Sequence, residues 1–376
     1  MQALYGLKQA EKSDFHLSVD YISEFFAPDL NSMEPRPPQE LRDNKNLATE
    51  LFRKSFTEDK PDLFQHPDEI RKAVNEAMVL YENRIRKDQK HYKKVMLGEI
   101  DKIYENYILS LLFLVDLFDY SSDYETEEKG KYLKQSDFPQ CGNFIRNTLY
   151  QKLKKDEDLE ISRVKRNLYW ERELVKRTFR SILKADDEFK AYLLYDNPDF
   201  EEDRKILVYT AKNCIFKNES LQAFFEERDF NWVENQSIVK SLVVKTLKSA
   251  EADTKKILID ISGNWEEDRQ FFEDLYQETI ERDKELDSYM EGKAKNWEME
   301  RIAMTDNIIL KMAMAEMITC PAIPVKVSIN EYIELSKLYS TPKSKQFVNG
   351  MLDSLSQELI AKGIIRKSGR GLIDNK

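Results

Sequence analysis

The sequence has 376 residues, of which 34% are charged, and it contains only ten glycines and eleven prolines. This length exceeds that of one typical domain and predicts two helical lobes, and the composition favours long helices over sheets. The three cysteines, Cys141, Cys214 and Cys320, are too far apart in sequence for a metal-ligand spacing, and an odd number suits a reducing cytoplasm. The net charge of −10 argues against long-range attraction of nucleic acid.

Two helices are predicted at the start of the chain. Ala3, Leu4, Leu7 and Ala10 form one apolar stripe at helical spacing, and a second helix is expected at 14–26. The first residues lack the basic and then apolar run of a signal peptide, so no such leader is predicted.

The next stretch is predicted to be helical and then to end in a loop. A proline-containing linker at 34–38 is followed by an amphipathic helix at 41–56. A longer helical run extends from Pro67 to about Tyr120, with a break near Gly98, and 121–140 is predicted to be a charged loop.

The strongly apolar end of that run, YILSLLFLVDLF at 107–118, is too short to span a bilayer and contains Asp116. We interpret it as a core helix, with further helices at 144–195. Six residues between Glu188 and Arg204 match residues 97 positions later, between Glu285 and Arg301. The match indicates either a degenerate repeat over about 170–250 or a coincidence of amphipathic helices.

The last quarter of the chain is predicted to contain three helices. The first is expected from about Trp297 to Thr319 and is ended by Pro321 and Pro324. The second is predicted to start at Ser328, because Ser328-Ile-Asn-Glu331 has the pattern of a capping box.

The third of these helices carries Phe347, Met351 and Leu355 at positions i, i+4 and i+8. Gly350 within it reduces helix propensity by roughly 1 kcal/mol relative to alanine and is typical of a site where another helix or a ligand approaches closely. Gly363 is predicted to end the helix.

Three runs in this quarter, NWEMERIA at 296–303, IPVKVSINEYIELSK at 323–337 and KQFVNGMLD at 345–353, resemble the NusB family of transcription antitermination factors. MQALY at 1–5 resembles the first helix of the same family. The close resemblance covers about 297–362 and the first few residues. It implies an all-α fold, a NusB-like helical bundle, here with an additional helical lobe.

The resemblance also implies a domain organisation. Residues 1–26 and 255–363 would form the NusB-like part, with 27–200 as an inserted or extra helical lobe and 364–376 as a flexible tail. Members of the family are cytoplasmic bacterial proteins that bind the boxA element of nascent ribosomal RNA together with NusE, a small-subunit ribosomal protein. They modify transcription elongation, which implies an indirect association with RNA polymerase, and they are not enzymes.

Five residues are candidates for RNA contact. Lys343 and Lys345 lie where a loop meets a helix N-terminus, which favours phosphate, and the resemblance places Lys311, Lys343, Gln346 and Phe347 at RNA-contacting positions. Gln346 replaces a basic residue of some members and Lys343 an acidic one, so the local charge is rearranged. Phe347 could alternatively belong to the core, since it starts the apolar stripe.

From Trp297 onward there are eleven Lys or Arg and nine Asp or Glu, so this region is mildly basic.

The resemblance assigns protein-partner contacts to Tyr5, Glu300 and Asp306, and acidic side chains suit a basic ribosomal protein. The family's arginine-rich N-terminal arm has no counterpart before Met1. Either translation starts upstream, which we favour because a helix starting at residue 2 lacks a cap, or the arm is dispensed with. The missing arm and the acidic body motivate an alternative, a helical protein–protein adaptor with weak or lost RNA binding.

Enzyme classes are disfavoured by the residues themselves. His16, His66 and His91 are far apart and none occurs in an H-E-x-x-H pattern, and no glycine-rich nucleotide-binding loop is present. A methyltransferase with a NusB-like domain would need a second, glycine-rich α/β domain, which this sequence lacks. We therefore predict no catalytic residue, no metal and no cofactor, and no membrane association.

Overall fold

The computed structural model describes residues 1–28, 36–57, 61–129, 141–254, 256–293 and 302–375. The described residues form helices and no strand, which confirms the predicted all-α class. None of the described helices is both long and apolar enough to cross a membrane.

In chain order the α-helices are α1 (Gln2–Phe25), α2 (Pro38–Lys54), α3 (Asp68–Lys129), α4 (Gly142–Arg146), α5 (Thr148–Lys154), α6 (Glu157–Arg166), α7 (Arg172–Ala185), α8 (Asp187–Leu193), α9 (Phe200–Tyr209), α10 (Glu219–Arg228), α11 (Trp232–Ser249), α12 (Trp265–Glu281), α13 (Asp283–Lys293), α14 (Met304–Thr319), α15 (Val325–Tyr339) and α16 (Ser344–Ala361). A π-helix covers Thr210–Ile215, and short 3-10 helices cover Leu63–Gln65 and Gly369–Asn375. The chain divides into unit 1, Met1–Met96 with Glu266–Lys376, and unit 2, Leu97–Trp265.

The core of unit 1 is built around α14. Every residue of this helix from Ile308 to Met317 is buried, as expected for a helix surrounded by others. Helices α1, α13, α15 and α16 pack against it, and Leu7 of α1 and Leu352 of α16 are part of the same apolar cluster.

Helix α1 is continuous, whereas the sequence predicted two helices. Its first half packs against the α14 cluster, where Leu4 and Leu7 are buried. Its second half belongs to another cluster of unit 1, in which Ile22 meets Phe52 of α2 and Val74 of α3. No proline lies between these two halves, so one helix serves both clusters.

Helix α3 runs through Gly98 without the predicted break. No atom lies within 4 Å of a Cβ built at Gly98, and a glycine inside a helix costs only about 1 kcal/mol, too little to break a helix of this length. The helix also continues to Lys129, so the first part of the predicted 121–140 loop is helical. Residues 130–140 lie outside the described residues.

The apolar run of α3 forms the core of unit 2, which confirms the prediction of a core helix. Phe113 packs edge-on against Trp170, with ring centroids 4.8 Å apart, and the indole nitrogen of Trp170 donates to the Leu109 carbonyl at 2.8 Å. Burial raises the pKa of Asp116 to about 6, although Arg163 nearby favours the charged form.

Two of the three C-terminal helices start at other residues than predicted. Helix α14 starts at Met304, since Ile302 and Ala303 are not helical and 297–301 lie outside the described residues. Helix α15 starts at Val325 after Pro324, so Ser328 is not its cap. Gly363 ends α16 as predicted: its φ is +68°, in the left-handed region.

The segment predicted to be a flexible tail contributes contacts in its described part. Ile365 is buried, the Ser368 amide donates to the Pro321 carbonyl at 3.0 Å, and Lys367 Nζ donates to the Cys320 carbonyl at 2.9 Å. Gly371 lies so close to this turn that a Cβ on it would be 2.1 Å from the Pro321 oxygen.

Gly371→Ala is therefore expected to lower the free energy of unfolding by about 1–3 kcal/mol, the usual cost of overpacking, and to make the C-terminus more sensitive to carboxypeptidase. Gly350→Ala is the matched control, because a Cβ at this exposed helical position meets nothing within 4 Å. It is expected to raise stability by roughly 0.5–1 kcal/mol. Urea unfolding measures both, and equal effects of the two changes would contradict the close approach at Gly371.

Candidate nucleic-acid interface

Two lysines and a glutamine are exposed where the α15–α16 loop, residues 340–343, meets α16. Lys343, Lys345 and Gln346 are all exposed. Lys343 is the N-cap residue of α16, and neither a side-chain cap nor an acidic residue occupies the first turn. The Ser344 N–H donates to the Thr341 carbonyl at 2.9 Å. The backbone N–H groups of Lys345 and Gln346 and the two ammonium groups are therefore available to an anion.

Phe347 follows directly and is half-buried, with its ring packed against the core cluster of unit 1. The sequence left its role open between core and ligand contact. Its intermediate exposure is compatible with both, because the ring packs against the core cluster while the residue keeps part of its surface accessible.

A hydroxyl network holds the α15–α16 loop against the start of α14. Ser344 Oγ donates to Asp306 Oδ2 at 2.7 Å, Ser340 Oγ donates to Ser344 Oγ at 2.9 Å, and Thr341 Oγ1 lies 2.9 Å from the same Oγ. Asp306 is 5% exposed and its Oδ1 has no hydrogen-bond partner among the described residues. This carboxylate, expected on a partner-facing surface, is turned inward and positions the loop.

The environment of Lys311 differs from that of Lys343 and Lys345, which are exposed. Lys311 is 4% exposed, and its Nζ donates to Asp283 Oδ1 at 2.6 Å and to Asp287 Oδ2 at 2.8 Å, both on α13. Lys8 of α1 reaches Asp283 Oδ2 at 3.1 Å. Lys311 was expected in an exposed cationic patch; the structure instead encloses its ammonium group in an internal ion pair, because the middle of α14 is buried on all sides.

The ion pair with Lys8 and Lys311 changes the pKa of Asp283. Burial by itself would raise the pKa of this carboxyl, but Lys8 and Lys311 outweigh burial and hold the pKa below its usual value. The charged carboxylate is thus the favoured form, and the ion pair joins α1, α13 and α14.

The remaining partner-binding candidates are Tyr5 and Glu300, of which the structure describes Tyr5. Tyr5 is exposed on α1, with 38% of its surface accessible. Glu300 lies outside the described residues. Of the two candidates that the structure describes, Tyr5 is exposed and Asp306 is buried.

Sequence reasoning missed the internal role of Glu316. Ser328, predicted as a cap, donates its hydroxyl to Glu316 Oε1 at 2.6 Å, and Tyr332 donates to Oε2 at 2.8 Å. Burial and the neighbouring carboxylate raise the pKa of Tyr332. These bonds join α15 to α14 and explain why Ser328 sits inside a helix; the spacing of Ser328 and Tyr332, one helical turn apart, was the available signal.

The described residues contain no group of three or more His, Cys, Asp or Glu side chains that could hold a metal ion. The cations, amide and half-buried ring at the start of α16 are instead suited to bind phosphate and unpaired bases.

Comparison with known proteins identifies relatives of the C-terminal part. Residues 236–357 match the model of the NusB family. Over 143 residues the chain is 36% identical to the "Transcription antitermination protein NusB" of Chloroherpeton thalassium, covering 36% of this chain and 68% of the relative. The protein of the same name from Salinibacter ruber is 45% identical over 105 residues, covering 28% of this chain and 66% of the relative.

A third protein of that name, from Koribacter versatilis, is 43% identical over 97 residues, covering 26% of this chain and 66% of the relative. The chain thus spans about two thirds of the length of each relative, while most of the chain lies outside the matched regions. No solved structure matches the chain.

Proposed function

The chain belongs to the NusB family, and from this premise we propose that it is a transcription antitermination factor, not an enzyme, that binds boxA-like RNA together with NusE during ribosomal RNA synthesis. The antitermination role is supported by the relatives, which are transcription antitermination proteins. The observation that carries the RNA part is the exposed group of Lys343, Lys345 and Gln346 at the uncapped start of α16.

The chemistry of this group suits single-stranded RNA. Lys343 and Lys345 offer ammonium groups to phosphates, and the start of α16 adds the backbone N–H groups of Lys345 and Gln346. Gln346 carries an amide that both donates to and accepts from a base edge. The accessible part of the Phe347 ring provides an apolar surface for a base.

The charge balance argues for joint binding with a protein. Each phosphate contact to a single strand contributes about −0.7 to the slope of log K against log salt, so two lysines alone give a weak, salt-sensitive interaction. The chain as a whole carries −10 and repels RNA at long range. A basic partner such as NusE offsets this charge, with Tyr5 as the exposed candidate on α1. RNA polymerase would be reached indirectly, and such a role implies the cytoplasm.

Lys311 and Asp306 enter the proposal as positioning residues. Asp306 holds Ser344 and therefore the loop, and Lys311 joins α13 to α14. We further propose that the N-terminal helices belong with the C-terminal ones in a NusB-like part, supported by the packing of α1 against α14, and that much of 27–200 is an additional lobe. The repeat over 170–250 stays a prediction.

Charge reversal at the loop tests the RNA interface. Lys343→Glu with Lys345→Glu is expected to weaken binding of a boxA-like RNA, with NusE present, by about 30–100-fold at 50 mM salt, and to lower the salt slope by about 1.4. Fluorescence anisotropy of the labelled RNA measures both quantities. The matched control is Lys326→Glu with Lys337→Glu, the same charge change at exposed positions of α15, expected to stay within threefold. Equal losses in the two double variants would contradict the proposed interface.

The second candidate function is a protein–protein adaptor with weak or lost RNA binding, favoured by the net charge of −10 and by the enclosure of Lys311. The same titrations distinguish it. Binding of NusE without any gain in affinity for boxA-like RNA would support the adaptor and overturn the RNA part of the proposal.

A further inference from the structure

An open groove of about 500 Å³ in unit 2 has several cationic side chains in its lining. Among the described lining residues, the cationic side chains are those of Arg204, Lys205, Lys212 and Lys248, and Glu201 contributes a carboxylate. The chain carries −10 overall, so this local excess of positive charge runs against the average of the molecule. The groove is formed by α9, the π-helix that follows it and the end of α11.

Arg204 stabilises the wall of the groove, and its guanidinium is not free to bind a ligand. Its guanidinium forms an ion pair with Glu201 and donates to the carbonyls of Lys248 and Ala250, which end α11. The same group lies over the Phe200 ring. These contacts hold α9 against the end of α11 and cancel the carboxylate charge.

The three lysines remain uncompensated. Lys205 and Lys248 are exposed and Lys212 is half-buried, and within the described ranges none of these ammonium groups has an ion-pair or hydrogen-bond partner. Three unpaired ammonium groups in one groove repel one another, so this arrangement is stabilised when an anion enters.

The local backbone directs further polar groups to the same side. Lys205, Val208, Tyr209 and Lys212 follow at i, i+3, i+4 and i+7, the spacing of one helical face. The π-helix Thr210–Ile215 widens the next turn, so Asn213 lines the groove together with Lys212. Single π-turns inside helices are frequent at functional sites.

Two neutral groups complete the groove. The Asn213 amide makes no hydrogen bond to the described residues and is available to a base edge or a sugar hydroxyl. Tyr209 is half-buried, and its hydroxyl donates to Asp186 Oδ2 at 2.8 Å, which fixes the ring in place. A cationic groove with a fixed aromatic ring and a free amide is typical of surfaces that bind single strands without strong sequence preference.

We propose that this groove is a second RNA site, which binds the phosphate backbone of single-stranded RNA outside the boxA-like element. The proposal rests on the proposed function, because a factor that acts on a nascent transcript meets RNA longer than one recognition element. Repeated phosphates along a strand match several ammonium groups distributed over two helices in an open groove. A single small anion would satisfy only one or two of them.

The test uses the full chain with Lys343→Glu and Lys345→Glu already in place, so that the loop at α16 does not contribute. The probe is a labelled twelve-nucleotide oligouridine, titrated between 25 and 150 mM salt. Adding Lys205→Glu and Lys212→Glu is expected to weaken binding at least about tenfold at the lowest salt and to reduce the salt slope by about 1.4, the value for two lost phosphate contacts.

The matched control adds Lys165→Glu and Lys240→Glu, the same charge change on α6 and α11 away from the groove lining, and is expected to stay within twofold. Thermal melting checks that both variants are folded. Equal weakening in groove and control variants would overturn the proposal, as would unchanged binding in the groove variant. Binding of tripolyphosphate or of a polyglutamate peptide in place of the oligouridine would also overturn it.

Failure of the proposed function is recognised separately. The proposed function fails if Lys343→Glu with Lys345→Glu, in the otherwise unchanged chain, leaves the affinity for boxA-like RNA in the presence of NusE unchanged. Failure of the groove shows only in the oligouridine titrations of the Lys205 and Lys212 variant.

Discussion

Phe144→Ala is expected to lower the free energy of unfolding by about 3–5 kcal/mol, the usual cost of truncating a buried phenylalanine. The Phe144 side chain is fully buried in the core of unit 2. Its ring centroid lies 4.2 Å from that of Phe189, 5.0 Å from Phe118 and 5.5 Å from Tyr192. Alanine would remove all of these contacts and leave a cavity that the surrounding rings, held by their own neighbours, fill only in part.

Urea unfolding followed by circular dichroism measures this effect. Phe230→Ala is the matched control, because Phe230 belongs to the same unit but is 94% exposed. It is expected to change the unfolding free energy by less than about 0.5 kcal/mol, as is usual for surface positions. Similar losses for the two phenylalanines would contradict the placement of Phe144 in the core.

Lys311→Met is expected to lower the free energy of unfolding by about 2–4 kcal/mol. Removing one member of a buried ion pair costs about 3–5 kcal/mol, and the value is lower here because the Asp283 and Asp287 side chains keep 30% and 34% of their surface exposed. Methionine preserves most of the volume, so the loss reports the uncompensated carboxylates. If Lys311 instead contacted RNA directly, the substitution would weaken RNA binding and leave stability nearly unchanged.

Lys337→Met is the control for this substitution. Lys337 forms an exposed ion pair with Glu334 one turn away on α15, and such surface pairs contribute about 0–1 kcal/mol. Equal unfolding free energies for the two methionine variants would show that the Lys311 ion pair does not stabilise unit 1.

The pH dependence gives a second readout of the same ion pair. The pKa of Asp283 is lowered in the folded chain, since Lys8 and Lys311 outweigh burial. The unfolded value is about 4, so the carboxylate contributes stability above that pH and the contribution is lost as pH falls through the lowered folded pKa. The difference in stability between wild type and Lys311→Met should therefore narrow between about pH 5 and pH 2, and a constant difference would contradict this assignment.

Several features were determined by the sequence alone. The scarcity of glycine and proline favoured long helices over sheets, the periodic apolar residues located individual helices, and the family resemblance implied an all-α fold. The run at 107–118 was assigned to a core since it is strongly apolar, too short to span a bilayer and contains Asp116, and Gly363 was assigned to a helix end because glycine readily adopts positive φ. The motifs at 323–337 and 345–353 carried the family resemblance, which the relatives confirm.

The tertiary structure decided what the side chains do. The sequence does not show that α14 is buried on all sides, so Lys311 was expected to be exposed. The packing of α13 against α14 pairs Lys311 with two carboxylates. Ser328 fits a capping box locally, yet Pro324 precedes the first turn and Glu316 accepts the hydroxyl. The groove at Lys205, Lys212 and Lys248 joins positions more than thirty residues apart. Local patterns determine which segments are helical, whereas burial and ion pairing depend on neighbours distant in sequence, which only the packed helices bring together.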